Sequence, residues 1–127
     1  MYSDLKPLHC GDDLSLVATA GDALYTMVLP TGHREIVVRA ITQRVHTATA
    51  ASDSAANDYP CVYLANGSTT VKTCTGIAAK SVAGTATYDE IADGTAGQRF
   101  KAGDTLYVKI SEVAKTTGKY QVILWID

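Results

Sequence analysis

The stretch that decides the fold lies near the C-terminus and reads TLYVKIS over residues 105–111 and YQVILWI over residues 120–126. In the first segment apolar and polar residues alternate with the period of two that a strand with one buried face requires. The second segment is apolar on both sides, because Ile123 and Trp125 add apolar surface to its second face. The polar connection between them contains a glycine, so the pattern predicts a β-hairpin. A strand that is apolar on both faces is usually central or covered, which places the hairpin inside a sandwich or against another chain.

Segments rich in β-branched residues alternate with turn residues along the rest of the chain. Further extended segments are predicted over residues 20–29, 35–46, 59–65 and 70–77. The longest of them changes phase near Ala40, which indicates either a β-bulge or a first half that is covered on both faces. Arg39, Gln43 and Arg44 are then expected to face solvent or a partner.

Two local signals predict turns. Asn66 and Gly67 form the strongest hairpin signal in the chain and join the segments on either side of them. Asp89 and Glu90 suit the start of a helix, so one helical turn is predicted over residues 87–93.

A short internal repeat occurs near the two ends of the chain. Residues 20–25 read AGDALY and residues 102–107 read AGDTLY, which agree at five of six positions. Both place a Gly-Asp turn directly before a strand. Nothing around them repeats at a fixed period, so two similar strand entrances are expected in preference to a gene duplication.

Length and composition favour one small β-domain. A chain of 127 residues is the size of one ordinary domain. Its many small residues, and its short strands separated by Gly, Asn and Asp, predict an all-β fold: an antiparallel β-sandwich over residues 20–127. Residues 1–19 are predicted to form an extended N-terminal arm, because Pro7, Gly11 and a pair of acids resist regular pairing. The alternatives are a frayed terminus and a short strand over residues 14–18.

Charge and hydropathy exclude several classes of partner. The net charge is -2 and no basic stripe pairs with aromatic residues, so we expect no nucleic-acid binding. No apolar run approaches the ~20 residues that span a bilayer, so no membrane association is expected. The first eleven residues lack the basic and then apolar pattern of a signal segment, so the chain is expected to be soluble and not exported.

The three cysteines are an odd number and cannot all close into internal bridges. If the connection at Asn66 has four residues, Cys61 faces Cys74 across the hairpin; with two residues they are offset diagonally. A chain that is not exported keeps its thiols reduced, and directly opposed strand positions fit disulfide geometry poorly. Buried free thiols are therefore expected in preference to a disulfide.

No group of side chains has the spacing of a catalytic, metal or cofactor site. His9, His33 and His46 lack the short spacings of a zinc site, and the acids around Asp89 lack the spacing of an EF-hand. Pairings such as Cys61 with His46 come without an activated nucleophile or an oxyanion loop. We therefore expect no enzymatic activity, no metal and no cofactor.

Three segments carry a resemblance to a known class of protein. They are PTG at residues 30–32, IVVRA at 36–40 and RFKAGDTLYVKI at 99–110, the last just before the terminal strand. In this order they resemble the small, jelly-roll-like β-sandwich proteins of tailed bacteriophages, and more narrowly the capsid cement or decoration proteins. The resemblance covers residues 20–127. It implies a virion protein, made in the host cytoplasm, that sits on the outside of the head and binds the major capsid protein across neighbouring capsomers.

Such a protein works by adhesion. When it buries surface against two capsid subunits at once, separating them also costs the binding energy of the bridge, and repeated copies add avidity. The arm is expected to lie in a groove of the capsid or of a neighbouring copy, and Trp125 is expected to add contact surface. The apolar anchors proposed in the arm are Tyr2, Leu5, Pro7 and Leu8. A homo-oligomer is expected, with a trimer as the form that suits a capsid threefold site.

Two other functions stay open at this point. A carbohydrate-binding sandwich would use exposed aromatic rings, for which Trp125, Tyr59, Tyr63 and Tyr88 are the candidates. A phage tail or fibre component would keep the viral context at another place in the particle. Trp125 separates the first alternative from the rest, because on a central strand a tryptophan is more often core or contact surface than a sugar platform.

Overall fold

The fold is built from β-strands. The computed structural model describes residues 4–49, 59–78 and 80–127, and this part of the chain contains nine strands and no helix, hence none that could cross a membrane. The strands are β1 (Lys6–Ser15), β2 (Ala23–Val28), β3 (Ile36–Thr47), β4 (Cys61–Asn66), β5 (Thr69–Thr73), β6 (Ala86–Glu90), β7 (Arg99–Phe100), β8 (Thr105–Glu112) and β9 (Lys119–Ile126).

The strands form two antiparallel sheets that pack face to face around one core. The first sheet has the order β1-β9-β3-β6, with the short β7 pairing β3, and the second has the order β2-β8-β4-β5. Strands from opposite ends of the chain pair first, β1 with β9 and β2 with β8, and the pairs β3–β6 and β4–β5 nest inside them. This nesting is the topology of a jelly roll. The prediction of an all-β, jelly-roll-like antiparallel sandwich is confirmed.

The two C-terminal strands occur as predicted, but they do not pair with each other. β8 lies between β2 and β4 in the second sheet, whereas β9 lies between β1 and β3 in the first. The connection between them crosses from one sheet to the other around Leu16. The N–H of Leu16 donates to Gly118 O (2.9 Å), and its carbonyl accepts from the N–H of Ala114 (2.9 Å). The prediction of a hairpin was therefore wrong, because a fully buried residue from far away in the sequence occupies the bend.

The segment predicted as an extended N-terminal arm is extended, and most of it forms the edge strand β1 of the first sheet. β1 pairs with β9 from Lys6 to Ser15, and register shifts on both sides of Gly11 absorb the residues that resist regular pairing. Cys10 and Leu16 are buried in the core. Leu8 and Leu14 also pack against this core, so the apolar side chains of the segment help to complete the interior of the sandwich.

β3 contains the predicted bulge, and the bulge changes the facing of one side chain. A register shift separates Val38 from Ala40 where β3 pairs with β9. Beyond it Gln43 faces the core and is fully buried. Its Nε2 donates to Thr75 O (2.6 Å), and its Oε1 accepts from the N–H of Val62 (3.2 Å). The expectation that Gln43 faces solvent or a partner was wrong, because the amide joins the two sheets from inside.

The hairpin at Asn66 is confirmed, and the predicted helical turn is not. Asn66 pairs with Thr69, which leaves a two-residue loop in which Gly67 has a φ of 57°. Glycine adopts this conformation at little cost, as such hairpin loops require. Residues 87–93 do not form a helical turn, because β6 occupies Ala86–Glu90 and pairs with β3. Pairing with a long neighbouring strand outweighs the local helix signal.

The two copies of the internal repeat lie at opposite ends of the antiparallel strand pair β2 and β8. The N–H of Gly21 donates to Ile110 O (2.8 Å), and the N–H of Gly103 donates to Leu29 O (2.8 Å). Both glycines have a φ of 91°. Because β2 and β8 are antiparallel neighbours, the same turn opens each of them, and the prediction of two similar strand entrances is confirmed.

Candidate functional site

The structure brings two of the predicted interface residues together. Pro7 on β1 and Trp125 on β9 are cross-strand partners. The indole N–H of Trp125 donates to Thr42 Oγ1 (2.9 Å), so the half-buried ring lies on the outer face of the first sheet. Leu5 is half-buried just before β1 begins, and Tyr2 lies outside the described residues.

Leu8, the remaining predicted anchor, lines a groove between the edge strands β1 and β2. This β1–β2 groove has a volume of about 680 Å³. Apolar side chains form its floor and charged side chains form its rim. The apolar lining includes Leu8, Met27, Val28, Ile36 and Ile126.

The groove is open because the two sheets end there side by side. Among the described residues β1 pairs with β9 alone and β2 pairs with β8 alone. Val28 on β2 is 57% exposed, and Leu8 and Met27 are half-buried although they pack against the core. An edge strand presents one row of backbone groups that a further strand can pair with. Apolar surface beside such an edge is typical of an interaction site.

The rim of the groove carries charges of both signs. Lys6 and Arg34 line it, and neither forms an ion pair with another described residue. Glu35 accepts from the arginine of β7 (2.7 Å), and Asp127 accepts from the arginine of β3 (3.0 Å). Two of the acids are therefore engaged within the chain, whereas the two bases are available to acidic groups of a partner.

The aromatic candidates for a sugar platform lie on different surfaces. Tyr88 and Trp125 belong to the outer face of the first sheet, where Tyr88 is 55% exposed. Tyr63 is on the outer face of the second sheet, opposite Lys109. Tyr59 precedes β4. Only two of the four rings, Tyr88 and Trp125, therefore lie on the same face.

The three cysteines are buried free thiols, as predicted. A register shift between Leu64 and Ala65 offsets the pairing, so the N–H of Cys74 donates to Val62 O (3.0 Å) and Cys74 does not lie directly opposite Cys61. Burial raises the pKa of the Cys10 thiol to about 12, and burial also raises the pKa of Cys61 and of Cys74. Thiols that stay protonated near neutral pH are poor nucleophiles, and these three act as small apolar core residues.

The acidic cluster has a structural role. Asp89 accepts from the N–H of Thr75 (3.1 Å) and from its hydroxyl (2.7 Å). Within residues 4–49, 59–78 and 80–127, no three histidine, cysteine or acidic side chains come together as a metal site would require.

Sequence reasoning missed most of the groove. The sequence predicts Leu8 as an interface residue but gives no such signal for Met27, Val28 or Arg34. The alternation of residues around Met27 predicts on which face of its strand the side chain lies. It does not predict which strands lie at the edges of each sheet. The pairing of β1 with β9 supplies that information, and nothing local in the sequence does.

Comparison with models of known protein families, with curated proteins and with solved structures gives no match to this chain.

Proposed function

We propose that the protein is a non-enzymatic structural protein of a tailed-phage particle, which binds the outside of the capsid and stabilises the head by bridging capsid subunits. Its partner is the major capsid protein, and its place is the capsid surface of the virion. The observation that carries the proposal is the apolar groove between the edge strands β1 and β2.

The groove suits an extended segment of the capsid protein. Such a segment pairs its backbone with an open edge, and alternate side chains enter the groove, as in strand addition elsewhere. Leu8 and Met27 supply the apolar floor. Lys6 and Arg34 favour acidic side chains beside the apolar ones, because they have no ion-pair partner among the described residues.

The first residues of β1 supply the bridge. Successive side chains of a strand point to opposite sides, so Leu8 enters the groove while Pro7 packs beside Trp125 on the outer face. Two capsid subunits can therefore be held by one short segment. Trimers at capsid threefold sites add avidity. Once one copy of a trimer is bound, the contacts of the other two copies become intramolecular.

The test uses particles of the phage that carries this gene, produced without the protein. Purified protein is added, and its copies per head are counted after unbound protein is removed. The unaltered protein is expected to saturate a fixed number of sites. Leu8→Asn combined with Met27→Asn is expected to lower the affinity at least about tenfold, because both substitutions replace apolar anchors by polar groups.

Val82→Asn is the matched control, because Val82 is 74% exposed and lies outside the groove. Each variant is first compared with the unaltered protein by its urea midpoint, so that loss of binding is separated from loss of folding. Unchanged occupancy of the double variant would exclude the groove. Failure of the unaltered protein to bind any head would exclude the capsid function, and an image that places it on the tail would favour the fibre or tail alternative.

A further inference from the structure

A polar pocket opens on the outer face of the first sheet, away from the β1–β2 groove. It has a volume of about 410 Å³, and its lining includes Asp12, Arg44, His46 and Gln121. Arg44 on β3 pairs with Gln121 on β9, and Gln121 Nε2 donates to Asp12 Oδ1 (2.8 Å) on β1. Three neighbouring strands thus point polar side chains into one pocket, whose size is within the range of small-molecule sites.

Arg44 is available to a ligand in this pocket. It is exposed, and no described acid forms an ion pair with it. Its guanidinium lies close to Gly84: a Cβ added at that glycine would be 3.6 Å from Nη2 of Arg44. Lys119 is exposed two residues before Gln121 on the same face, outside the lining of the pocket. Asp12 is already engaged by the amide of Gln121. The guanidinium of Arg44 is therefore not paired with any described acid and can pair with an anionic group of a ligand.

An apolar strip borders the pocket. Tyr88 on β6 is opposite Thr42, and Ala86 is opposite Arg44, so Tyr88 and Arg44 are offset by two residues on adjacent strands. Side chains in that relation stand roughly 7–8 Å apart and are within reach of one ligand when they are long or aromatic. Ile123 lies on the other side of Thr42. Tyr88 is 55% exposed, so its ring is open to stacking.

We propose that this face binds an anionic saccharide. The guanidinium of Arg44 pairs with a carboxylate or sulfate of the sugar, a geometry in which arginine makes two parallel hydrogen bonds. The apolar face of a sugar ring packs on Tyr88, and the amide of Gln121 meets ring hydroxyls. The site goes beyond the proposed function, because its side chains neither line the β1–β2 groove nor include Pro7 and Trp125, which form the second capsid contact.

The experiment is an array of carboxylated, sulfated and neutral glycans, followed by calorimetry with the best-bound glycan. The unaltered protein is expected to bind anionic glycans in preference to neutral ones, and the array shows whether carboxylate or sulfate is the anion. Arg44→Gln and Tyr88→Ala are each expected to weaken binding about tenfold or more. Both side chains are exposed, so folding is expected to be retained and is checked by the urea midpoint.

Two controls match these variants. Tyr63→Ala removes a tyrosine from the outer face of the second sheet, and Arg34→Gln removes an arginine from the β1–β2 groove. Neither is expected to change glycan affinity. The proposal is overturned if no anionic glycan binds, if neutral glycans bind equally well, or if Arg44→Gln and Tyr88→Ala bind as the unaltered protein does. Because Arg34→Gln affects capsid attachment alone, failure of this site and failure of the capsid function are distinguishable.

Discussion

The two lateral sides of the sandwich are built differently. On the β5–β6 side the chain closes the gap between the sheets with its own hydrogen bonds, from Thr75 to Asp89 and from Gln43 to Thr75. On the β1–β2 side apolar side chains of both edges remain half-exposed around a groove.

This difference separates stability from binding. Polar groups that meet inside the chain stabilise the fold, and losing one partner leaves the other unsatisfied. Apolar side chains at an open edge contribute less to the fold and are available to another molecule. Substitutions on the closed side should therefore change the free energy of unfolding, whereas those on the open side should mainly change attachment.

The largest effect on stability is expected at Gln43. Gln43→Ala leaves the N–H of Val62 and the carbonyl of Thr75 without their partner in the core, and it also leaves a cavity. The free energy of unfolding should fall by about 3 kcal/mol in urea titrations. Gln121→Ala, on the outer face, is the matched control and should cost less than about 0.5 kcal/mol. Equal losses in the two variants would contradict the closing role of Gln43.

A smaller effect is expected at Asp89. Asp89→Ala removes the acceptor of two hydrogen bonds from Thr75 and should lower the free energy of unfolding by about 1.5 kcal/mol. Glu90→Ala, at the next position of β6, is exposed and should change it by less than about 0.5 kcal/mol. If both variants unfold at the same urea concentration as the unaltered protein, Asp89 does not close this side.

The sequence predicts strands well because each strand carries its own period, as in residues 105–111 and 120–126. It does not predict that these two strands lie in different sheets, because Leu16 enters the bend between them. It places Gln43 on the wrong face because a glutamine is expected to face solvent, whereas beyond the bulge Gln43 shares the buried face with Ile41 and Val45. The groove is beyond local prediction because it depends on which strands lie at the edge of each sheet.

The smallest effect tests whether β1 packs as part of the sandwich although its edge is open. Burial raises the pKa of Cys10 from 9.0 to about 12. As the pH rises, the thiol therefore ionises in the unfolded chain at a lower pH than in the folded protein. Its stabilising contribution is complete below pH 9 and is lost as the pH rises towards 12. Between pH 8 and 10 the unaltered protein should lose about 1.4 kcal/mol more than Cys10→Ala does. Parallel pH profiles would show that β1 leaves Cys10 open to water.

The most direct test of the open side is hydrogen exchange of the protein on phage heads, compared with the free protein. Binding through the groove predicts slower exchange of backbone amides in Lys6–Ser15 and Ala23–Val28, with little change in Thr69–Thr73 and Ala86–Glu90. Protection confined to β5 and β6, or no protection at all in the head-bound protein, would contradict the account.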